Sequence, residues 1–438
     1  MDDGAATTAV QGCGAHGHAN PMLQLGQRLA FHGLRPTLVV SRHVLSTTST
    51  SRSCPFPVAT ISDGFDAGGI STCGRMEAAG SETLAGLLDA EARARRPVRV
   101  LVYDSHLPWA RRVARAAGVP AAAFLTQMCA VDLVYGEAWA GRVPLPLADG
   151  GELRGRLAVE LGPDDVPPFV AAPQWYPAFT ESALSQFDGL EHADDVLVNS
   201  FRDLEPKQEA DYLESTWRAK TIGPTLPSFY LDDGRLPCNK TYGGDLFTGI
   251  DQAACMAWLD KAGALLRRPR VVRDQELGNG LCDSGKPFVW VLRSNEAEKL
   301  SQQLGGRCKE RGLVVPFCPQ LEVLAHKAIG CFLTHCGWNS TIESITCGVP
   351  MVAMPQWADQ PTTSKYVESA WGIGVRMRKG LVRREEVERC IREVMEGERK
   401  TEYRQNAAKW MKKAKEAMQE GGSSDRNIAE FAAKYLSN

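Results

Sequence analysis

The chain has 438 residues, of which 44% are hydrophobic and 23% are charged, and its formal net charge is −2 at pH 7. This length and balance indicate a globular protein with room for two domains. The near-neutral charge gives no reason to expect a nucleic acid or an anionic membrane as a partner. The longest apolar stretch, 119–135, is interrupted by Gln127 and Asp132 and predicts no membrane span.

Strands and helices alternate along the first half of the chain. Short apolar runs predict strands at 35–40, 98–103, 121–125 and 195–200. Helical spacing of apolar residues predicts helices at 22–32, 76–95 and 109–117. This alternation is typical of α/β domains with parallel sheets, in which ligands bind beyond the carboxyl ends of the strands.

The second half repeats the alternation after a break. Residues 218–249 are rich in Pro, Gly, Asp and Tyr without periodicity, which predicts an interdomain linker. We predict strands at 288–292, 312–315, 330–334 and 350–354. Helices are predicted at 341–346, 385–396, 402–419 and 424–436, the last after a Gly-Gly break.

The cysteines and the N-terminal residues indicate in which cellular compartment the protein works. The 13 cysteines are scattered without C-x-x-C pairs, which indicates reduced thiols and neither a disulfide frame nor a zinc site. The N-terminal segment MDDGAATTAV lacks the basic and apolar parts of a signal peptide. Together these features predict a cytoplasmic protein.

One glycine cluster matches a dinucleotide-binding fingerprint only in form. Residues 12–17 (GCGAHG) fit G-x-G-x-x-G, but no apolar strand is evident before them. No acidic residue lies between Gly17 and Asp63, so the carboxylate that would bind a ribose is absent. We therefore interpret the glycines as a turn before a helix that starts near Pro21.

A different stretch, 317–360, carries a stronger signal. Within it, HCGWNS (335–340) connects a predicted strand to a predicted helix, which places backbone N–H groups and the positive end of a helix dipole at one point. A phosphate is the usual anion at such a turn. Phe317 and Trp338 offer rings, while Glu343 and the pair Asp359–Gln360 can bind sugar hydroxyls. The pattern suits a nucleotide sugar.

This stretch resembles the signature box of plant family-1 UDP-glycosyltransferases, enzymes that glycosylate small secondary metabolites. The similarity includes HCGWNS, Gln320, Glu343 and the closing Asp359–Gln360. The family usually opens the box with Trp, whereas this chain has Phe317, which has a smaller stacking face. The resemblance implies two facing doubly wound parallel-sheet domains of the GT-B type.

The resemblance also implies a domain plan. We expect an acceptor-binding domain at 1–217, the linker at 218–249, a UDP-sugar domain at 250–421 and a C-terminal helix, 422–438, that returns to the first domain. Details such as LVYDSHLPWA (101–110) are similar to the branch that acts on small acids, thiohydroximates and terpenoids. We expect a monomer.

Two residues are candidates for acid–base chemistry. His18 precedes a predicted helix in GHANPM, which resembles the loop that holds the general base of the family; the spacing alone does not choose between His16 and His18. Asp104 ends a predicted strand, where a carboxylate can orient the imidazole and stabilise its protonated form. A structural alternative for Asp104 is to cap the next helix.

The resemblance implies inverting displacement of UDP by a hydroxyl, carboxyl or thiol of a small lipophilic acceptor, with His18 as base and Asp104 as its partner. UDP-glucose is the expected donor because the box ends in Gln360. No D-x-D triplet is present, so we expect no metal and no cofactor. The residues expected to contact the donor are Phe317, Cys318, Gln320, His335, Gly337, Trp338, Asn339, Ser340, Glu343, Asp359 and Gln360.

Two segments depart from the family pattern. Residues 1–12 show no clear apolar strand, and 261–276 (KAGALLRRPRVVRDQE) contain four arginines and Pro269 where the family has a strand and a diphosphate loop. Because buried arginines are costly, we predict that 261–276 is a surface loop and that both strands are missing. An alternative function follows: a non-catalytic or mis-spliced relative that keeps part of the nucleotide-sugar site.

Overall fold

The computed structural model describes residues 6–10, 16–47, 54–66, 73–242, 252–260, 264–268, 274–378, 380 and 382–437. Parts of three predicted features lie outside these ranges: residues 12–15 of the glycine turn, 243–249 of the linker, and 261–263 with 269–273 of the basic segment. Among the described helices, none combines the length and the apolar character that crossing a membrane requires.

The first sheet is built from residues 6–221. Its strands are β1 (Ala6–Val10), β2 (Arg35–Ser41), β3 (Val58–Ile61), β4 (Val98–Asp104), β5 (Ala121–Leu125), β6 (Asp195–Val198) and β7 (Ala219–Thr221). All pairs are parallel, in the order β3-β2-β1-β4-β5-β6-β7. The order reverses between β1 and β4, and in such sheets ligands bind at that point.

The prediction that the first strand is missing was wrong. Strand β1 lies in the middle of the sheet and pairs with β2 on one side and β4 on the other. Its sequence, ATTAV, contains two threonines and a valine, and β-branched residues favour extended backbone even when they are not strongly apolar. The strand therefore lacks the continuous apolar run by which a central strand is usually predicted.

The second sheet is built from residues 264–376. Its strands are β8 (Ala264–Arg268), β9 (Phe288–Val291), β10 (Gly312–Val315), β11 (Ile329–Thr334), β12 (Met351–Ala353) and β13 (Gly374–Arg376). They are also parallel, in the order β10-β9-β8-β11-β12-β13. This second doubly wound sheet completes the predicted α/β class.

The prediction that residues 261–276 form a surface loop without a strand was also wrong. Strand β8 occupies 264–268 and pairs with β11 and β9, so it is central. It has only five residues and begins with the apolar ALL, and it stops at Arg268, immediately before Pro269. A proline lacks the N–H that a ladder needs, and β8 as described contains none. For β8 only the path and pairing of the backbone are described.

Helices connect the strands on both faces of each sheet. In the first half these are α1 (His16–Phe31), α2 (Arg42–Thr47), α3 (Cys73–Arg93), α4 (Pro108–Ala116), α5 (Cys129–Trp139), α6 (Pro168–Ala171), α7 (Pro177–Ser185) and α8 (Lys207–Trp217). In the second half they are α9 (Gln252–Leu259), α10 (Asp274–Asp283), α11 (Ser294–Ala297), α12 (Gln302–Arg311), α13 (Gln320–Leu324), α14 (Trp338–Cys347), α15 (Gln360–Ser369), α16 (Arg384–Glu396), α17 (Lys400–Met418) and α18 (Ser423–Leu436).

The last helix, α18, packs against the first sheet, as the resemblance implied. Ile428, Phe431 and Tyr435 lie in a buried cluster with residues of α1, β4 and β5. The Oγ atom of Ser424 donates to the carbonyl oxygen of Gly223 at 2.6 Å. The domain limits at 217, 249 and 421 stay a prediction.

The two halves contact each other through buried polar groups. Trp338 Nε1 donates to the carbonyl oxygen of Asn199 at 2.7 Å, and Trp371 Nε1 donates to that of Leu204 at 3.1 Å. Tyr366 donates to the carboxylate of Glu209. These bonds join α14, α15 and the turn after α15 to the region that follows β6, and they hold the carboxyl ends of both sheets near one cleft.

Candidate active site

The candidate catalytic residues come from the carboxyl ends of neighbouring strands. Asp104 is the last residue of β4, and His18 lies in the first turn of α1, which follows β1. Because β1 and β4 are paired and parallel, the chain leaves both strands on the same edge of the sheet. The fold thereby brings together two residues that are distant in sequence.

His18 and Asp104 lie within ion-pairing distance of each other, and the pair is charged on both sides when the imidazole is protonated. The Nδ1 atom of His18 lies 2.9 Å from the Oδ2 atom of Asp104, whose side chain is 1% exposed, whereas that of His18 is 25% exposed. The imidazole is thus held at Nδ1 by a buried carboxylate. This leaves Nε2 as the ring nitrogen able to accept a proton, an arrangement that suits a general base.

The charges of the pair shift both pKa values. Burial lowers the pKa of His18, but the charge of Asp104, the contact of the imidazole with that carboxylate and a contribution from Asp359 outweigh burial and raise the pKa above 6.5. Burial raises the pKa of Asp104, but His18 and His106 together lower it well below its ordinary value. Asp104 therefore stays ionised and supports the imidazolium form of His18.

Two further side chains belong to this group and were missed from the sequence. The Oγ1 atom of Thr126 lies 3.3 Å from His18 Nδ1, and Thr126 directly follows β5, so its place after a strand was a usable signal. His106 is the second of these residues. In the fold, its backbone N–H donates to Asp104 Oδ1 at 3.0 Å and its ring meets that of His18 edge-on at 5.1 Å.

The same cluster has the spacing of a possible metal site. Donor atoms of His18, Asp104 and His106 all lie within 4.8 Å of one another. The three residues fit a small divalent ion by donor type, but Asp104 already binds His18 at 2.9 Å. The expectation of a metal-independent enzyme stays a prediction.

The turn after β11 has the geometry expected for an anion site. Helix α14 begins at Trp338, and Gly337 is its N-cap. Cys336 adopts φ 62°, a left-handed conformation that is rare for a non-glycine residue. A Cβ atom on Gly337 would lie 2.6 Å from Nε2 of His335, so a larger residue there would displace the His335 ring. The N-terminus of α14 opens at the carboxyl end of β11, in the position predicted for the diphosphate.

Asp359 and Gln360 lie at the start of α15, beside this turn. Asp359 Oδ2 accepts a hydrogen bond from the backbone N–H of Trp338 at 3.1 Å. Burial raises the pKa of Asp359 to about 6, although hydrogen bonds and the charge of His18 oppose the rise. Asp359 and His18 attract each other electrostatically, so a predicted sugar-binding residue of the second half lies near the predicted catalytic base of the first.

Gln360 and Trp338 are held by internal contacts. The Oε1 atom of Gln360 accepts from the backbone N–H groups of Gln356 and Trp357, at 2.9 and 3.1 Å. The indole of Trp338 is buried, contacts Trp371 and binds Asn199. Its ring therefore packs within the protein between the two halves.

Glu343, expected to bind the ribose, lies on α14 and is buried. Its Oε2 atom accepts from Nε2 of Gln320, which also donates to Ser340 Oγ at 3.1 Å. Its Oε1 atom accepts from the hydroxyl of Tyr242 at 2.6 Å. Tyr242 was missed, because no local pattern in a region without periodicity connects it to a helix far along the chain.

The remaining predicted donor contacts lie on the two loops beyond β10 and β11. Phe317 is half-buried and Cys318 is buried, both between β10 and α13. His335 directly follows β11, and Asn339 is in the first turn of α14. The fold thus places all predicted donor residues at the carboxyl edge of the second sheet. Their individual contacts with a donor stay predictions.

Comparison with known proteins assigns the family. Residues 263–415 match the family model described as UDP-glucoronosyl and UDP-glucosyl transferase. The UDP-glucosyltransferase UGT13248 of Hordeum vulgare is 63% identical over 445 residues, which cover 97% of this chain and 93% of the relative. The chain belongs to the plant family-1 UDP-glycosyltransferases. The smaller ring of Phe317 is therefore a variation within the family.

Crystal structures of related proteins have the same fold as this UDP-glycosyltransferase. The crystal structure of Os79 from O. sativa in complex with UDP has 63% sequence identity and a TM-score of 0.92, over 98% of this chain and 100% of that one. Os79 in complex with U2F and trichothecene has 62% identity and a TM-score of 0.89, over the same shares. The GT-B fold is thereby confirmed.

Proposed function

We propose that the protein transfers glucose from UDP-glucose to a small lipophilic metabolite with inversion at the anomeric carbon. The observation that carries the proposal is the contact of 2.9 Å between His18 Nδ1 and Asp104 Oδ2, at the edge of the cleft that Asp359 faces. The family membership of the chain supports glucosyl transfer. Both strands thought to be missing, β1 and β8, are present, so the non-catalytic alternative is not favoured.

The mechanism uses a base on the first half of the molecule and a helix N-terminus on the second. His18, with Nδ1 held by Asp104, takes a proton at Nε2 from the acceptor hydroxyl, and the acceptor oxygen attacks the anomeric carbon. Negative charge then grows on the departing UDP. The N-terminus of α14, with His335, Asn339 and Ser340 close to it, is positioned to stabilise that charge through its N–H groups and dipole.

Different residues contact the uridine, the ribose, the diphosphate and the glucose of the donor. Phe317 and Gln320 hold the uridine, Glu343 holds the ribose, the turn at Gly337 faces the diphosphate, and Trp338 lies with Asp359 and Gln360 beside the sugar. Asp359 accepts hydrogen bonds from the glucose hydroxyls, and Gln360, whose Oε1 atom already accepts from Gln356 and Trp357, donates to them through Nε2. Gln320 and Glu343 already contact each other, which supports their assignment to one end of the donor.

For the acceptor we propose a hydroxyl of a terpenoid type, alongside the carboxyl and thiol acceptors of the same branch. The support is the 62% identity to Os79, which was crystallised with a trichothecene. We also propose that the enzyme works as a cytoplasmic monomer without a metal ion.

The decisive experiment measures UDP release from UDP-glucose with a panel of terpenoid alcohols, phenols and small acids. The anomeric configuration of the product is read by NMR; a β-glucoside from the α-linked donor demonstrates inversion. The matched control is His18→Ala. An α-glucoside, or equal turnover by the control, would disprove the proposed mechanism.

A further inference from the structure

Tyr242 contacts both halves of the molecule. It lies in the segment that leads from the first sheet to the second, and its hydroxyl donates to Glu343 Oε1 at 2.6 Å. Its carbonyl oxygen accepts from Nε2 of Gln24 at 3.1 Å. Gln24 is buried on α1, the helix that also carries His18. One residue therefore bridges the catalytic helix and the carboxylate assigned to the ribose.

The two oxygens of Glu343 are held by different donors. Tyr242 binds Oε1, and Gln320 binds Oε2. A buried carboxylate is costly unless hydrogen bonds compensate for lost water, and Glu343 is only 6% exposed. Each carboxylate oxygen can accept more than one hydrogen bond, so an oxygen that is bound by Tyr242 or Gln320 keeps the capacity to accept from a ribose hydroxyl as well. Tyr242 and Gln320 together fix the orientation of the Glu343 carboxylate, and so the direction from which it can accept a further hydrogen bond.

Tyr242 is suited to this task at every working pH. Burial raises the pKa of its hydroxyl well above the ordinary value, and the nearby charge of Glu343 raises it further. The hydroxyl therefore keeps its proton and acts as a donor. A charge-assisted hydrogen bond of this kind is short and directional, which suits a group that orients another.

We infer that Tyr242 is a positioning residue for the UDP-sugar: it holds the carboxylate of Glu343 in the orientation that binds the ribose hydroxyls. This inference rests on the proposed role of Glu343 as the ribose ligand. Because Gln24 anchors the Tyr242 backbone, the orientation depends on the contact between the two halves. The donor site is then complete only when the connecting segment is seated on α1.

The test compares Tyr242→Phe with Tyr230→Phe in the full-length protein. Tyr230 is a matched control: its hydroxyl is buried near Glu343 but makes no hydrogen bond among the described residues. We measure UDP binding by calorimetry and the kinetics with UDP-glucose. Tyr242→Phe is expected to weaken UDP binding about tenfold, the scale of one hydrogen bond to a charged group, and to raise KM with little change in kcat. Tyr230→Phe is expected to bind like the parent.

A second pair of variants separates positioning from a general loss of structure. Glu343→Gln should weaken UDP binding, and adding Tyr242→Phe to it should cause little further loss, because the two residues act through one contact. Gln24→Met, which frees the Tyr242 carbonyl, should weaken binding in the same direction by about threefold. The melting temperatures of all variants are recorded beside the binding data.

The outcomes distinguish this inference from the proposed function. If Glu343→Gln weakens UDP binding but Tyr242→Phe binds UDP as well as the parent or more tightly, the positioning role is wrong while the function stands. Additive losses in the double variant would also overturn it. If Glu343→Gln binds UDP like the parent, the ribose assignment itself fails, and the inference fails with it.

Discussion

The Nδ1 atom of His18 and the Oδ2 atom of Asp104 lie 2.9 Å apart, one on the helix after β1 and the other at the end of β4. This contact exists because β1 and β4 are adjacent in the sheet. It fixes which imidazole nitrogen faces the cleft. The first two predictions follow from it.

We predict that His18→Ala lowers kcat by roughly a hundredfold or more, because a lost general base costs on that scale. The affinity for UDP, measured by calorimetry, should be almost unchanged, since the donor contacts are made by the second sheet. Steady-state kinetics with UDP-glucose check the first part.

The control is His16→Ala, two residues upstream. Helix α1 begins at His16, and the structure describes the side chain of His18 beside Asp104. Normal turnover by His18→Ala together with an inactive His16→Ala would assign the base to His16.

The second prediction concerns pH. The pKa of His18 is raised, so at low pH the imidazole is protonated and cannot accept a proton; kcat/KM should rise with pH through this pKa. In Asp104→Asn the carboxylate that stabilises the imidazolium is gone, so the pKa of His18 should fall. The acid limb of the profile should then move to lower pH while the maximum rate falls. An acid limb at the same pH in both proteins would show that another group titrates.

Local patterns predicted much of this molecule. Strand β4 and its terminal Asp104 were visible as an apolar run followed by a carboxylate, and the turn before α14 was visible as HCGWNS between two periodic segments. These features depend on neighbours in sequence. For the same reason the α/β class was predicted from alternation alone.

What the sequence did not reveal depends on partners far along the chain. Strand β8 is short and basic at its end, and it is stabilised as a strand by β9 and β11 on either side. The contacts of Tyr242 with Gln24 and Glu343 likewise join distant segments. Strand pairing and tertiary contacts outweigh a weak local preference for the strand conformation. For this reason the basic composition of 261–276 led to a wrong prediction.

The third prediction concerns the sugar. Gln360 lies at the start of α15, and its Oε1 atom is fixed by the backbone N–H groups of Gln356 and Trp357. We predict that Gln360→His shifts donor preference from UDP-glucose towards UDP-galactose, because the imidazole presents a different hydrogen-bonding group to the sugar hydroxyls. Competition assays with both donors measure the ratio. Equal use of the two sugars by the parent protein would contradict the assignment.

The fourth prediction is that removal of divalent ions leaves activity unchanged. In the proposed mechanism the leaving UDP is stabilised by the N-terminus of α14 and not by a metal. Turnover is compared before and after dialysis against EDTA. A loss restored by one added divalent ion would instead assign a metal to His18, Asp104 and His106, whose donor atoms are close enough to share it.

The last prediction concerns Asp132, a buried acid on α5. Its side chain is fully buried, and neither carboxylate oxygen has a hydrogen-bond partner among the described residues. Burial raises its pKa well above the ordinary value, and the charges of Glu205 and Asp359 raise it further. The folded state therefore binds a proton that the unfolded state has already released near pH 4.

This difference in proton binding makes the stability of the protein depend on pH. Where the folded state holds more protons than the unfolded state, the free energy of unfolding falls as pH rises. Asp132→Asn is neutral at every pH and avoids that loss, so it should melt at a higher temperature than the parent at pH 8 and at a similar temperature near pH 4. A gain of a few degrees is expected, since about 1 kcal/mol shifts the melting temperature by roughly 2–4 °C in a domain of this size. The exposed Glu181→Gln makes the same chemical change at the surface and should leave both melting temperatures unchanged. A parent and an Asp132→Asn variant that melt together at pH 8 would contradict the raised pKa of Asp132.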